Sequence, residues 1–272
     1  MVIDGDVDGS STIVDEAARR WPVRRITFDE NRGRSTALNA GFSDARGEVV
    51  VRCDDDLVPG PDYVARHLVA HAASEVGVVG LYRNTFPETT YARVYGRAWD
   101  ERFRREAYEV RPDQRWRYWA GNVSVTRRTW ELVGGYDDSF RAYGWEDVDW
   151  GYRLVRAGIP VLLDPALETE HRIAATTTAS RTQRAYYSGA ARTRFEAKHG
   201  PDVLPPAADS TWQRLVSLVA AGLDEGRSQR LGAIVDRAAR ILPEHTAARA
   251  IALAVEAASR AGHRSGTTAG AI

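Results

Sequence analysis

Val49-Val50-Val51-Arg52-Cys53-Asp54-Asp55-Asp56 decides the reading of this chain. The nearly continuous apolar run Val49 to Cys53 predicts a strand buried on both faces. Three carboxylates follow at its carboxyl end, where open α/β sheets bind ligands. Side chains two apart on an extended chain point the same way. Asp54 and Asp56 would therefore converge and repel unless a cation joined them. A hard divalent ion such as Mg²⁺ or Mn²⁺, shared with phosphate oxygens, resolves that conflict. The plainer reading is a solvated acidic turn after a strand.

Working outward, residues 1 to about 83 alternate strand and helix signals, which favours a parallel α/β sheet. Strands are expected at Met1 to Ile3, Val23 to Phe28 and Val76 to Leu81, and helices after Thr12 and from Arg34 to Ala45. Residues 84 to 118 break the alternation with aromatics, arginines and acids, and the segment Arg93 to Trp119 within and just beyond them is expected as an amphipathic flap with solvated charges. Regularity returns with a strand at Asn122 to Thr126, a helix at Glu146 to Ala157, a strand at Ile159 to Leu163 and a helix at Arg181 to Lys198. The chain divides into an α/β domain over 1–200, a Pro-rich linker over 201–208 and a helical region over 209–262. A disordered tail is expected over 263–272. In the helical region Leu215, Leu218, Val219 and Leu223, then Leu231, Ile234, Val235 and Ile241, are spaced as helix cores, on the same domain or in a homodimer.

A second acidic cluster, Gly144-Trp145-Glu146-Asp147-Val148-Asp149, opens the predicted helix from Glu146. Carboxylates there are favoured by the positive end of the helix dipole, which is a sufficient reason for an isolated Glu-Asp pair. Here Gly135, Gly144 and Trp145 add a tight loop and an aromatic wall suited to a sugar face. A carboxylate beside such a wall can act as a general base toward a hydroxyl. His67 and His71, four apart on a helix, lack the glutamate of a metalloprotease motif and read as an ordinary helix face.

Composition sets the outer limits. The 272 residues carry 37 basic and 37 acidic side chains, so no global field draws the chain to nucleic acid or an anionic membrane. Between Arg93 and Trp119, eight arginines face five acids without forming a basic stripe. The single Cys53 excludes an internal disulfide and fits a reducing compartment. The apolar stretch Leu215 to Leu223 is far short of the ~20 residues a membrane helix needs. No signal-peptide pattern opens the sequence, so a cytoplasmic protein is expected.

Taken together, the motifs resemble a family 2 glycosyltransferase of the A-type fold over roughly residues 2 to 200. The matching segments are Val2-Ile3-Asp4-Gly5-Asp6, Asn31-Arg32-Gly33, Ala37-Leu38-Asn39-Ala40-Gly41, Asp54-Asp55-Asp56, Ala120-Gly121-Asn122, Val133 to Asp137 and Gly144 to Asp149. The last also resembles a galactosyltransferase-type Glu-Asp segment. The resemblance implies a mostly parallel central sheet flanked by helices, with a C-terminal helical appendage. It also implies inverting sugar transfer from a nucleoside diphosphate donor to a glycan, lipid-linked or small-molecule acceptor, with Mn²⁺ or Mg²⁺ as cofactor. Asp4 would hold the base; Arg34, Asp54 and Asp55 would contact the donor, Asp54 through ribose or metal. Asp56 and His171 would bind the metal. Asp147 would be the catalytic base with Glu146 its nearest rival, and Gly121 and Trp145 would meet the acceptor, with Trp119 either core or a further acceptor platform. A non-catalytic nucleotide-sugar or carbohydrate-binding relative is the alternative. The family places a strand and helix before Val2, so the chain as written is expected to be poorly folded or inactive without an upstream extension.

Overall fold

The computed structural model describes residues 1–140, 144–172, 174–206 and 209–269. Its elements are β1 (Val2–Asp4), α1 (Ser10–Ala18), β2 (Ile26–Phe28), α2 (Arg34–Asp44), β3 (Val49–Cys53), β4 (Leu57–Val58), α3 (Tyr63–Ala70), β5 (Gly77–Val79) and β6 (Tyr82–Asn84). They continue with α4 (Arg97–Glu109), β7 (Asn122–Thr126), α5 (Arg127–Val133), α6 (Glu146–Arg156), β8 (Val161–Leu163), β9 (Thr169–His171) and α7 (Thr178–His199). Three helices end the chain: α8 (Thr211–Ala221), α9 (Glu225–Ala238) and α10 (Glu244–Ala269).

The sheet is mixed and divided. β1 and β2 form a parallel pair of their own, while the central sheet runs β3-β7-β5-β8. Within it β7 is antiparallel to both neighbours, and β5 and β8 are parallel. The alternation of the first eighty residues therefore predicts the elements but not this reversed strand. β7 is contributed from beyond the irregular segment and slots between β3 and β5. Its residues Asn122 to Val125 are all buried, as a central strand requires. A three-stranded sheet, β4-β9-β6, lies beside the carboxyl end of β3 and brings His171 opposite both Leu57 and Asn84.

Two apolar cores hold these layers. The first is aromatic: Trp119 stacks on Trp150 at 4.8 Å and Trp130 stacks on Phe42 at 4.3 Å. Trp116 and Phe195 are also buried there. The second joins α7, α8, α9 and α10 through Ala185, Tyr186, Val216, Val235, Ile251 and a run of alanines on α10. Helix α7 opens on a capping box between Thr177 and Ser180, which satisfies the first free amides. Phe195 belongs to the first core and Tyr186 to the second, so α7 is shared.

The expected flap is likewise a bridge. Residues Ala92–Gly96 form a π-helical turn, α4 follows, and Pro112–Tyr118 is 3-10 helical. Tyr91, Val94 and Tyr95 enter the second core and Trp116 the first. The C-terminal helices bury Val216, Ala220, Val235 and the alanines of α10 against α7, whereas Leu215, Leu218, Ile234 and Ile241, expected as helix cores, are exposed; the homodimer expected through these helices is unsupported. The tail expected from 263 is helical as far as Ala269, while residues 270–272, and 207–208 of the linker, lie outside the described residues. No helix is long and apolar enough to cross a membrane among the described residues.

Candidate active site

The strand β3 delivers Arg52, and Arg52 organises one side of the site. A buried arginine needs carboxylates, and it finds two. Its Nε and Nη2 donate to the Asp54 carboxylate at 2.7 and 3.1 Å, and its Nη1 donates to Asp147 Oδ1 at 2.5 Å. Burial works against the guanidinium charge, but Asp147 and Asp54 outweigh it and hold the group firmly protonated. The two acidic clusters, ninety residues apart in sequence, thus meet through a single cation.

After Cys53 the backbone turns rather than running on, with the Leu57 amide donating to the Asp54 carbonyl at 3.1 Å. The expected convergence of Asp54 and Asp56 along an extended chain is thereby broken. Asp54 faces Arg52, whereas Asp56 Oδ2 lies 3.0 Å from His171 Nε2. Asp55 is exposed at the tip of the turn. Gly121 shows why the turn tolerates only glycine beside it: an added Cβ would lie 2.1 Å from Asp54 Oδ2 and 2.6 Å from the Tyr82 hydroxyl. The Gly121 carbonyl also accepts from the Asp54 amide at 3.0 Å.

The second cluster is held under strain. Trp145, preceding α6, has φ 74°, the one left-handed non-glycine among the described residues, next to Gly144 at φ 89°. Left-handed backbone at a bulky residue costs energy and persists where surroundings impose it, often at functional sites. Here the Trp145 Nε1 donates to Ser188 Oγ at 3.2 Å and its ring packs on Phe195 at 5.1 Å. Glu146 is 1% exposed and accepts from Arg34 Nη1 at 2.8 Å, leaving its Oε2 buried without a hydrogen-bond partner among the described residues. The Asp147 side chain keeps 16% exposure. Burial pushes its carboxyl up to about 6; Arg52 opposes the rise, and Glu146 and Asp54 add to it. Asp149 is fully buried and held by Arg153 at 2.9 Å, Lys198 at 2.8 Å and His199 at 2.7 Å, which anchors α6 to α7.

The remaining expected residues fall in different places. The Asp4 carboxylate accepts from the Arg32 and Gly33 amides at 2.6 and 2.9 Å, so it shapes the loop that leads into Arg34. Trp119 is a correction: at 2% exposure, with its Nε1 donating to the Tyr136 hydroxyl at 3.1 Å, it is core and no acceptor platform. His67 and His71 are no ordinary surface face either. Both turn inward onto Ser124 Oγ, at 2.8 and 2.7 Å, and burial lowers His67 to about 4.

Arg52, Asn84 and Asp100 were not anticipated. A charged residue inside an apolar strand was a usable signal for Arg52. Asn84 and Asp100, sixteen apart across an irregular segment, offered none. Among the described residues no group of three or more His, Cys, Asp or Glu side chains is arranged to hold a metal ion. Asp56 and His171 supply one oxygen and one nitrogen donor, a set that suits a divalent ion completed by phosphate oxygens and water.

Residues 1–131 match the family described as glycosyl transferase family 2, and residues 101–174 match the N-terminal domain of galactosyltransferase. Over residues 1–131 the chain is similar to family 2 glycosyl transferases. It resembles the undecaprenyl-phosphate 4-deoxy-4-formamido-L-arabinose transferase of Pseudomonas savastanoi pv. phaseolicola, 31% identical over 53% of this chain and 36% of the relative. It also resembles the validoxylamine A glucosyltransferase of Streptomyces hygroscopicus subsp. jinggangensis, 27% identical over 58% of this chain and 44% of that relative. The chain therefore spans less than half the length of these relatives. A mannosyltransferase of Pyrobaculum calidifontis, solved with GDP-Man and Mn²⁺, superposes on 96% of this chain and 76% of its own, with TM-score 0.60 and 19% identity. That likeness establishes the A-type glycosyltransferase fold.

Proposed function

We propose that the chain transfers a sugar from a nucleoside diphosphate donor to an acceptor hydroxyl with inversion. The observation that carries this reading is the meeting of the two acidic clusters through Arg52. Asp147 takes the proton of the acceptor hydroxyl as its oxygen bonds to the anomeric carbon. The bond from that carbon to the diphosphate oxygen breaks on the opposite face, and the nucleoside diphosphate leaves. Asp147 is better placed than Glu146 because Glu146 is nearly inaccessible and tied to Arg34. Asp56 and His171 are the residues that would hold Mn²⁺ or Mg²⁺, and a bound ion would neutralise charge developing on the diphosphate.

Asp4 and the loop it shapes, with Arg34 and Asp55, are assigned to the donor, and Trp145 and Gly121 to the acceptor side. Asp54 is assigned through its salt bridge, which holds Arg52 against the base. Incubating the chain with a panel of UDP-, GDP- and dTDP-sugars, with Mn²⁺ or with EDTA, tests the proposal. Release of nucleoside diphosphate with Mn²⁺, and an inverted anomeric centre by NMR, is expected. A donor that binds but is never consumed points instead to a recognition module of the same fold.

A further inference from the structure

Behind His171 runs a chain of partly buried polar groups, with Asp100 buried among them, that fixes which of its ring nitrogens carries a proton. His171 Nδ1 lies 2.5 Å from Asn84 Oδ1, and Asn84 Nδ2 donates to Asp100 Oδ1. Asp100 is 5% exposed, and its other oxygen accepts from Arg104 Nε at 3.4 Å. Arg104 in turn reaches Glu168 at 3.3 Å. An ionised carboxylate only accepts, so the Asn84 amide must turn its NH₂ toward Asp100. Its carbonyl oxygen then faces the imidazole and demands a proton on Nδ1. In the neutral ring the Nε2 lone pair is left pointing at Asp56 Oδ2, 3.0 Å away. Two lone pairs at that distance repel, and the conflict is removed by a cation lying against both, whether a proton or a metal ion.

We propose that Asn84 and Asp100 are positioning residues that hold His171 as the Nδ1–H tautomer, so that Nε2 and Asp56 form a pair ready for a divalent cation. This rests on the metal assignment made above, and it adds two residues, on β6 and α4, that act through His171. Partners behind a ligating histidine set its tautomer and typically alter metal affinity about 10–100-fold when removed. Tyr82 stacks on the other face of the ring at 5.0 Å, so the imidazole is held in plane while Asn84 sets its proton.

The decisive variant is Asp100→Asn, which keeps the shape but not the polarity. Its own carbonyl would turn to Arg104 and its NH₂ to Asn84, flipping the Asn84 amide. His171 would then accept at Nδ1 and carry its proton on Nε2, against Asp56. Long-range ¹H–¹⁵N spectra of the full chain, recorded without metal under conditions where the ring is neutral, read this directly. The Nδ1–H pattern is expected for His171 in the wild type and the Nε2–H pattern in Asp100→Asn, with His171→Gln giving the assignment. Titration with Mn²⁺ alone, followed by the EPR signal of free ion, should show about tenfold or greater weakening in Asp100→Asn. The Asn84→Leu variant should weaken binding similarly, and Asp100→Asn should leave the metal-free unfolding midpoint near that of the wild type. An Nε2–H wild type, or the same tautomer and Mn²⁺ affinity in both proteins, overturns the proposal. If Asp56→Asn and His171→Gln leave Mn²⁺ binding untouched, the metal assignment fails and this proposal with it. If those two variants lose binding while Asp100→Asn does not, only this proposal falls.

Discussion

Asp54 and Asp56 stand two residues apart in one turn, yet they are given opposite kinds of partner. Asp54 meets Arg52, a cation that does not deprotonate and is locked in the interior at 4% side-chain exposure. Asp56 meets His171, whose ring nitrogen carries a lone pair that can bind a cation. The difference teaches how one acidic motif supports two tasks. The arginine side carries its positive charge permanently and extends it to Asp147, the proposed base, where it opposes the effect of burial. The histidine side keeps its cation replaceable.

The largest expected effect lies at the far end of the arginine side. Asp147→Asn should lower donor turnover about 10²–10⁴-fold, the usual worth of a positioned base, with donor affinity little changed in equilibrium titration. Loss of donor affinity with turnover spared would move the base elsewhere. Next, Arg52→Met should cost roughly 3–5 kcal/mol in urea unfolding, because it leaves two partly buried carboxylates without their counter-charge. A neutral result would mean that solvent reaches Asp54 and Asp147 far more than the geometry allows. Gly121→Ala should cost about 1–3 kcal/mol, since the new methyl group displaces Asp54 against surrounding backbone. Mn²⁺ binding at Asp56 and His171 should survive it, and loss of both together would show that the two sides are not separable.

The smallest effect is a shift along the pH axis. Asp147 must be ionised to accept a proton, so turnover should rise with pH through a limb near 6. An ordinary aspartate would place that limb near ~3.9. Because its folded-state pKa is raised, Asp147 contributes stability below its unfolded pKa that is lost as pH rises through about 6. In Arg52→Met the opposing cation is gone, and the limb should move to higher pH. A limb near 4 in the wild type would show that burial does not dominate at this carboxyl.

Much of this arrangement was legible before any coordinates. Val49 to Asp56 reads as strand and acids because burial on both faces demands an apolar run and a ligand site demands charge at its end. The Glu146 helix start follows from the same logic of local pattern. What could not be read is convergence. The backbone turn after Asp54 reverses a two-residue alternation, and Asp147, the distant partner of Arg52, lies on α6, 95 residues along the chain. Trp119 carried no mark to separate core from platform, since an indole suits both and only the stacking of Trp150 decides it. Asn84 and Asp100 are invisible for a related reason. Neutral amides and acids are common in irregular segments, and their meaning lies in which atom faces which.

Helix α7 touches the strained loop with one side and the C-terminal bundle with the other. Ser188 holds Trp145, while Lys198 and His199 hold Asp149. Opposite these, α10 comes so near that a methyl group at Gly189 would stand 1.9 Å from the Ser259 carbonyl, and one at Gly262 equally close to that of Tyr186. Two helices in backbone contact bend and shift together. The bundle thus works as a splint on the rod that braces α6, and fracturing it would be felt at Asp147, the proposed base.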